Sequence, residues 1–380
     1  MEKKELKNIF GLFLAWRILL FVFLSIAVGF VSLQKNFLGG GLANYLQNPY
    51  FWAWLNFDGE HYLSLAQIGY QPLTYFYFPL YPLLAKFLAT FINKSFVNLA
   101  FSGLLVSNIS FLFALIGFWK LILLDYKEKV ALASLIFLVL FPTSFYFGSF
   151  YTESTFLALV IWSFYFARHK HWLLAGFLGG LSTATRLVGI ALLPALFLEM
   201  YKTYKKNIPI YSFLSLFLIP LGLACYMYYL YMKTGDPLEF FHSVSIFGQQ
   251  RSSTFILLPQ VFYRYFFKVI PNLNYNFLPV VFTTFLELIT ALVFTALTIL
   301  SFWRLRLSYA IYTLFAFIIP TLSGSFSSLP RYVLALFPAF ILTALYISSL
   351  KKPIQYLIFL ILFISLVLAT ALFVRGYWVA

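Results

Sequence analysis

Residues 57–89 read FDGEHYLSLAQIGYQPLTYFYFPLYPLLAKFLA, and whether this stretch crosses a membrane decides the topology of everything after it. Apolar runs near 9–33 and 97–124 flank it, each long enough for a span by the criterion of about 20 residues. From Pro72 to Phe91 it is apolar and aromatic enough to be one more. Pro79, Pro82 and Lys86 interrupt it, which favours an interfacial or re-entrant helix. A crossing here would also invert the orientation of every later segment. Residues 34–96 are therefore read as an outer loop that begins with the glycine turn Gly39-Gly40-Gly41.

Outward from this loop the chain is mostly hydrophobic run. Further runs fall near 130–149, 154–167, 172–185, 187–201, 208–232, 279–303, 308–322, 333–350 and 354–374. Together with the two flanking runs they predict about eleven transmembrane helices, hence an all-α polytopic membrane protein forming one domain over 1–380. Hydrophobic residues make up 62%, charged residues 10%, and the mean hydropathy is +0.90, so the bilayer must serve as solvent. The net charge of +15 is dispersed in short clusters between the runs. These are Lys3/Lys4/Lys7, Lys127/Lys129, Arg168/Lys170, Lys202/Lys205/Lys206, Arg304/Arg306 and Lys351/Lys352. A cytoplasmic N-terminus puts all six on the cytoplasmic side. Nucleic acid is not an expected partner, because it needs one contiguous basic face.

The basic start and first run resemble a signal peptide, but the run is too long for one and reads as an uncleaved first span. Residues 172–201 pose the remaining topological choice. Two short helices meeting at Thr185-Arg186 keep the lysines of 202–206 inside and put Arg186 outside. Gly176 and Gly180 then predict close helix packing. Residues 233–278 form a second outer loop. Cys225, in an apolar run, excludes an internal disulfide and reads as a small buried hydrophobe.

Acids are scarce, 11 in 380 residues, so Asp58 and Glu60 within one loop call for an explanation. Asp58 reads as the N-cap of a short helix ending at Gly69, with Glu60 in its first turn. Within a helix the two would point roughly 200° apart and could not share a task. Asp58, at the exposed tip, is the better chemical candidate, while capping is the bland account of it. A metal site from Asp58, Glu60 and His61 would need ligands that the sequence does not supply nearby, so no metal or cofactor is expected. Other polar residues recur on the same expected face. They are Tyr151-Thr152-Glu153, Arg186, Gly235-Asp236-Pro237, Gln249-Gln250-Arg251 and Arg331-Tyr332. Acids and arginines sharing one membrane face suggest a site for an anionic group, although a lone arginine at a helix end is usually an anchor. Glu287, deep in a run, reads as a buried carboxylate bonded to a neighbouring helix. A multispan transporter or lipid flippase is the alternative class, and would usually show repeat symmetry.

The 57–89 stretch resembles the first luminal loop of the PIG-V-type mannosyltransferases (GPI mannosyltransferase II and its prokaryotic relatives, glycosyltransferase family 76). Four further blocks follow in the family's order: FPTSFYFGSFYTESTFLAL at 141–159, WLLAGFLGGLSTATRLVGIALLPAL at 172–196, TGDPLEFFHS at 234–243 and LPRYVLALFPAF at 329–340. The resemblance implies a glycosyltransferase-C-type fold with a helical first outer loop. It also implies an enzyme that transfers mannose from a polyprenyl- or dolichyl-phosphate donor to a glycan or glycolipid acceptor on the non-cytoplasmic face. The membrane would be the plasma membrane in a prokaryote and the endoplasmic reticulum in a eukaryote. In that family an acid of the first outer loop is the usual base, and Asp58 occupies its position. Glu60 is not recognised as part of the pattern. By their chemistry, Arg331 and Arg186 are expected to hold the donor phosphate. Glu60, His61, Tyr62, Tyr151, Glu153, Arg251 and Tyr332 are expected to support the site or the acceptor.

Overall fold

The structure, a computed structural model, describes residues 3–205, 207–243 and 254–379; Arg251 lies outside them. The described residues form helices and connecting turns. Six helices are long and apolar enough to cross a membrane: Lys3–Phe30, Phe96–Leu123, Leu187–Tyr204, Ile210–Thr234, Leu278–Arg304 and Lys352–Val374. Leu329–Ala335 and Phe337–Ser349 make a seventh if taken as one broken span. The count of about eleven is not reached on length. The runs at 130–149 and 154–167, for example, become helices Glu128–Leu140 and Glu153–Arg168. At 13 and 16 residues these rise only about 20 and 24 Å. The 72–93 stretch yields the ten-residue helix Leu80–Ala89, too short to span a bilayer, as its prolines led us to expect.

The chain divides into two compact units. The first comprises the residues up to Gly69, Tyr81–Ala158, and those from Thr343 on. Here the Lys3–Phe30 helix meets Phe96–Leu123 through Trp16 and Phe111, whose ring centres are 4.8 Å apart. It meets Lys352–Val374 through Phe23 and Phe363, edge to face. Arg17 carries a charge within the first apolar run. Its guanidinium is 4.8 Å from the Phe21 ring centre and 4.5 Å from that of Trp54, and the two π faces stabilise it.

The second unit comprises Tyr70–Leu80 and Leu159–Leu342. Residues 172–201 break as expected, into Trp172–Thr183 and a later helix, with Arg186 extended between them. Gly180 faces Gly222 of the helix Leu218–Thr234. A Cβ on Gly222 would strike the Gly180 carbonyl, and one on Gly176 would strike that of Ser215. The GxxxG spacing thus lets two backbones touch. Cys225, on the same Leu218–Thr234 helix, is exposed and not buried.

Glu199, 2% exposed, accepts from Arg306 Nη2 and Ser308 Oγ, each at 2.6 Å, and pairs with Arg168 at 3.4 Å. This network joins three segments that the charge pattern assigns to one face. Glu287 is buried and accepts from the Tyr265 hydroxyl at 2.7 Å, as a hydrogen-bonded carboxylate should. One run departs from expectation. Residues 333–350 do not form one helix, and the chain bends by 87° between Leu329–Ala335 and Phe337–Ser349. Pro338 has no N–H to continue the preceding turn but suits the start of a new helix.

Candidate functional site

Each unit gathers part of the expected site. In the first unit the centre is the helix Asp58–Ile68, which ends as expected at Gly69, with φ 82°. The cap differs from expectation. Phe57 holds the N-cap position with φ 58° and ψ −121°, so Asp58 is already the first helical residue. A phenylalanine in that region costs roughly 1–3 kcal/mol and persists only where its surroundings impose it. They do so here. The Phe57 N–H donates to Phe37 O at 2.9 Å, and its ring packs against Phe37, Phe373 and Trp378.

Asp58 is half-buried. Both acids lie in the helix, so the separation of roughly 200° holds and they serve different directions. Glu60 is also half-buried, and loss of water raises its carboxyl to about 7, partly offset by the Gly41 N–H. His61 is half-buried.

Tyr62 packs edge-on against Tyr81 and Tyr151, with ring centres 5.6 and 6.3 Å away. Tyr151 is fully buried and donates from its hydroxyl to Asn56 O at 2.8 Å. Tyr81 donates to Gly103 O at 2.9 Å and is 2.8 Å from Ser107 Oγ. Burial holds the Tyr81 phenol well above its ordinary range, and Glu153 adds to the shift through its charge. Glu153, 3% exposed, opens the helix Glu153–Arg168, where the positive end of the helix favours a carboxylate. The structure therefore brings Asp58's helix, Tyr62, Tyr151 and Glu153 together. Tyr77 and Tyr81 are buried packing residues, and Tyr75 is half-buried.

In the second unit Arg186 and Arg331 converge on one ring. Their guanidinium carbons lie 4.8 and 5.2 Å from the centre of Tyr332. Arg331 is 5% exposed, while Arg186 and Tyr332 are half-buried. Two devices fix the turn that presents Arg331. Ser328 takes φ 67° just before the helix Leu329–Tyr332, and the Tyr312 hydroxyl holds Ala335 O at 3.1 Å just after it. Ala184 O, beside Arg186, accepts from Leu80 N at 3.1 Å. An arginine guanidinium can take a phosphate by charge-assisted hydrogen bonds. Asp236 is accounted for otherwise. It bonds His242 Nδ1 at 2.5 Å and the Leu238 N–H at 2.8 Å, which hold its carboxyl below the usual range.

Among the described residues, no group of three or more His, Cys, Asp or Glu side chains is placed to hold a metal ion. The sequence reading missed Asn56. It is fully buried, and a lone asparagine in a loop carries no periodic signal.

No protein-family model and no curated relative matches the chain. Among solved structures it is similar to ArnT from Cupriavidus metallidurans bound to undecaprenyl phosphate, at 17% identity and TM-score 0.49. That alignment covers 91% of this chain and 62% of the other. It is also similar to the Archaeoglobus fulgidus oligosaccharyltransferase in complex with zinc and sulfate, at 13% identity and TM-score 0.43, over 84% of this chain and 48% of that one. The chain thus spans less than two thirds of either. Similarity at this level is loose and fixes neither family nor activity.

Proposed function

We propose that this protein is a membrane glycosyltransferase. It moves mannose from a polyprenyl-phosphate donor to an acceptor hydroxyl on the non-cytoplasmic face. The observation that carries the reading is the convergence of Arg186 and Arg331 on Tyr332, a pairing of cations suited to an anionic lipid head. The acid-bearing helix supplies the second requirement. Asp58 accepts the proton of the acceptor hydroxyl as that oxygen attacks the anomeric carbon. The bond from that carbon to the phosphate oxygen breaks, and polyprenyl phosphate leaves with the electron pair. The configuration inverts. Asp58 acts as general base, while the arginines neutralise charge growing on the leaving phosphate. That phosphate is a good leaving group, so the displacement calls for no metal, and activity should survive EDTA.

The charge network at Glu199 supports the orientation, because it joins segments that the basic clusters assign to the cytoplasmic face. The bond from Tyr265 accounts for Glu287 without a proton pathway, which weakens the transporter reading. The deciding experiment supplies membranes containing the protein with labelled polyprenyl-phosphate-mannose and follows label into acceptor. Label transfer abolished by Asp58→Asn supports the proposal. Transport of a solute by proteoliposomes with no transfer of sugar would replace it.

A further inference from the structure

We infer that Asn56 is the positioning residue for Asp58, resting on the proposal that Asp58 is the base. The unfavourable backbone of Phe57 lies between them and needs restraint on both sides. Asn56 supplies the restraint before the turn. Its Oδ1 accepts from the Gly39 N–H at 2.8 Å, and its Nδ2 donates to Phe373 O at 2.9 Å and, more weakly, to Val374 O at 3.4 Å. Its own carbonyl accepts from the Tyr151 hydroxyl at 2.8 Å and from the Gly59 N–H at 3.3 Å. Both ends of the amide and the main-chain oxygen are therefore engaged, and the residue is fully buried.

The choice of asparagine is specific. Aspartate has the same shape but would set a carboxylate oxygen against the carbonyls of Phe373 and Val374 where a donor is required. Leucine matches the volume but satisfies neither Gly39 nor Phe373. Gly39 cannot move away to compensate, because even a Cβ there would strike the Trp52 carbonyl. A displaced Asn56 would therefore pass its shift through Phe57 to the first helical residue, and a misplacement of about 1 Å at a reacting group costs on the order of 10²-fold in rate.

The test is a double-mutant cycle with labelled polyprenyl-phosphate-mannose as donor. Asn56→Asp is expected to lower kcat by about 10²-fold while leaving the donor KM within about threefold. Made on top of Asp58→Asn, the same change should cost little more, because a base that is absent cannot be misplaced. A merely structural role would give the same further loss in both backgrounds, and that result would overturn the inference. Wild-type turnover by Asn56→Asp would also overturn it. If Asn56→Asp does not fold, Tyr151→Phe enters the same cycle, since it removes the hydroxyl that bonds the Asn56 carbonyl. Its expected loss is about 2- to 10-fold, again confined to the background that retains Asp58. Wild-type turnover by Asp58→Asn alone would remove the base and the positioning role together. Failure of the cycle with Asp58→Asn strongly impaired would leave the base in place and remove the positioning role.

Discussion

The guanidinium of Arg186 lies over the ring of Tyr332, 4.8 Å from its centre. An uncharged side chain thereby links two arginine-bearing turns from distant parts of the sequence. If the ring holds the cation where a phosphate needs it, Tyr332→Leu should raise the donor KM by about 2- to 30-fold. Tyr332→Phe keeps the aromatic face and should stay near wild type. Indistinguishable KM values for all three proteins would deny the ring that role.

Asp58→Asn should lower kcat for label transfer by about 10²–10⁴-fold without changing the thermal unfolding midpoint in detergent. Purified protein supplied with polyprenyl-phosphate-mannose gives the rate, and a melting curve confirms that the fold is intact.

Glu60 gives a pH dependence whose sign follows from its environment. Burial raises its folded-state value from 4.5 to about 7, so the folded state prefers the protonated acid. That stabilisation is complete below the unfolded value and is lost as pH rises through about 7. Wild-type protein should therefore melt at a lower temperature at pH 8 than at pH 6. Glu60→Gln should flatten that difference, and an unchanged difference in the variant would place the titration on another group.

Gly222→Ala should destabilise the protein by about 1–3 kcal/mol, because the added methyl meets the Gly180 carbonyl, which cannot yield. Gly11→Ala is the control. Among the described residues no atom beyond its own stretch of helix lies within 4 Å of its Cβ position, and a mid-helix alanine should be neutral or mildly stabilising. Thermal unfolding of both variants in one detergent separates a packing effect from a general one.

What the sequence made legible was whatever repeats or interrupts a period. Long apolar runs gave most spans, the break at Thr185-Arg186 followed from where positive charge can sit, and Gly176 with Gly180 announced a seam. The partner glycine, Gly222, stayed hidden because its reason lies on another helix. The positive φ of Phe57 was hidden too, since only glycine advertises such a backbone, and this moved the cap one residue ahead of Asp58. The 333–350 run looked continuous because hydropathy does not register a bend, although Pro338 marked where a helix would have to restart. Asn56 was the least legible of all. Its partners lie 17 and 317 residues away, and nothing local distinguishes it from an ordinary loop asparagine.

That separation of 317 residues bears on biogenesis. Spans are made and inserted in order, and the carbonyls that Asn56 grips belong to the end of the Lys352–Val374 helix. Until the ribosome has released that helix into the bilayer, the turn before Asp58 lacks one of its anchors. The reactive loop, made before that helix, should therefore stay unset until the helix is in place. Competence would arrive in one step, with that span.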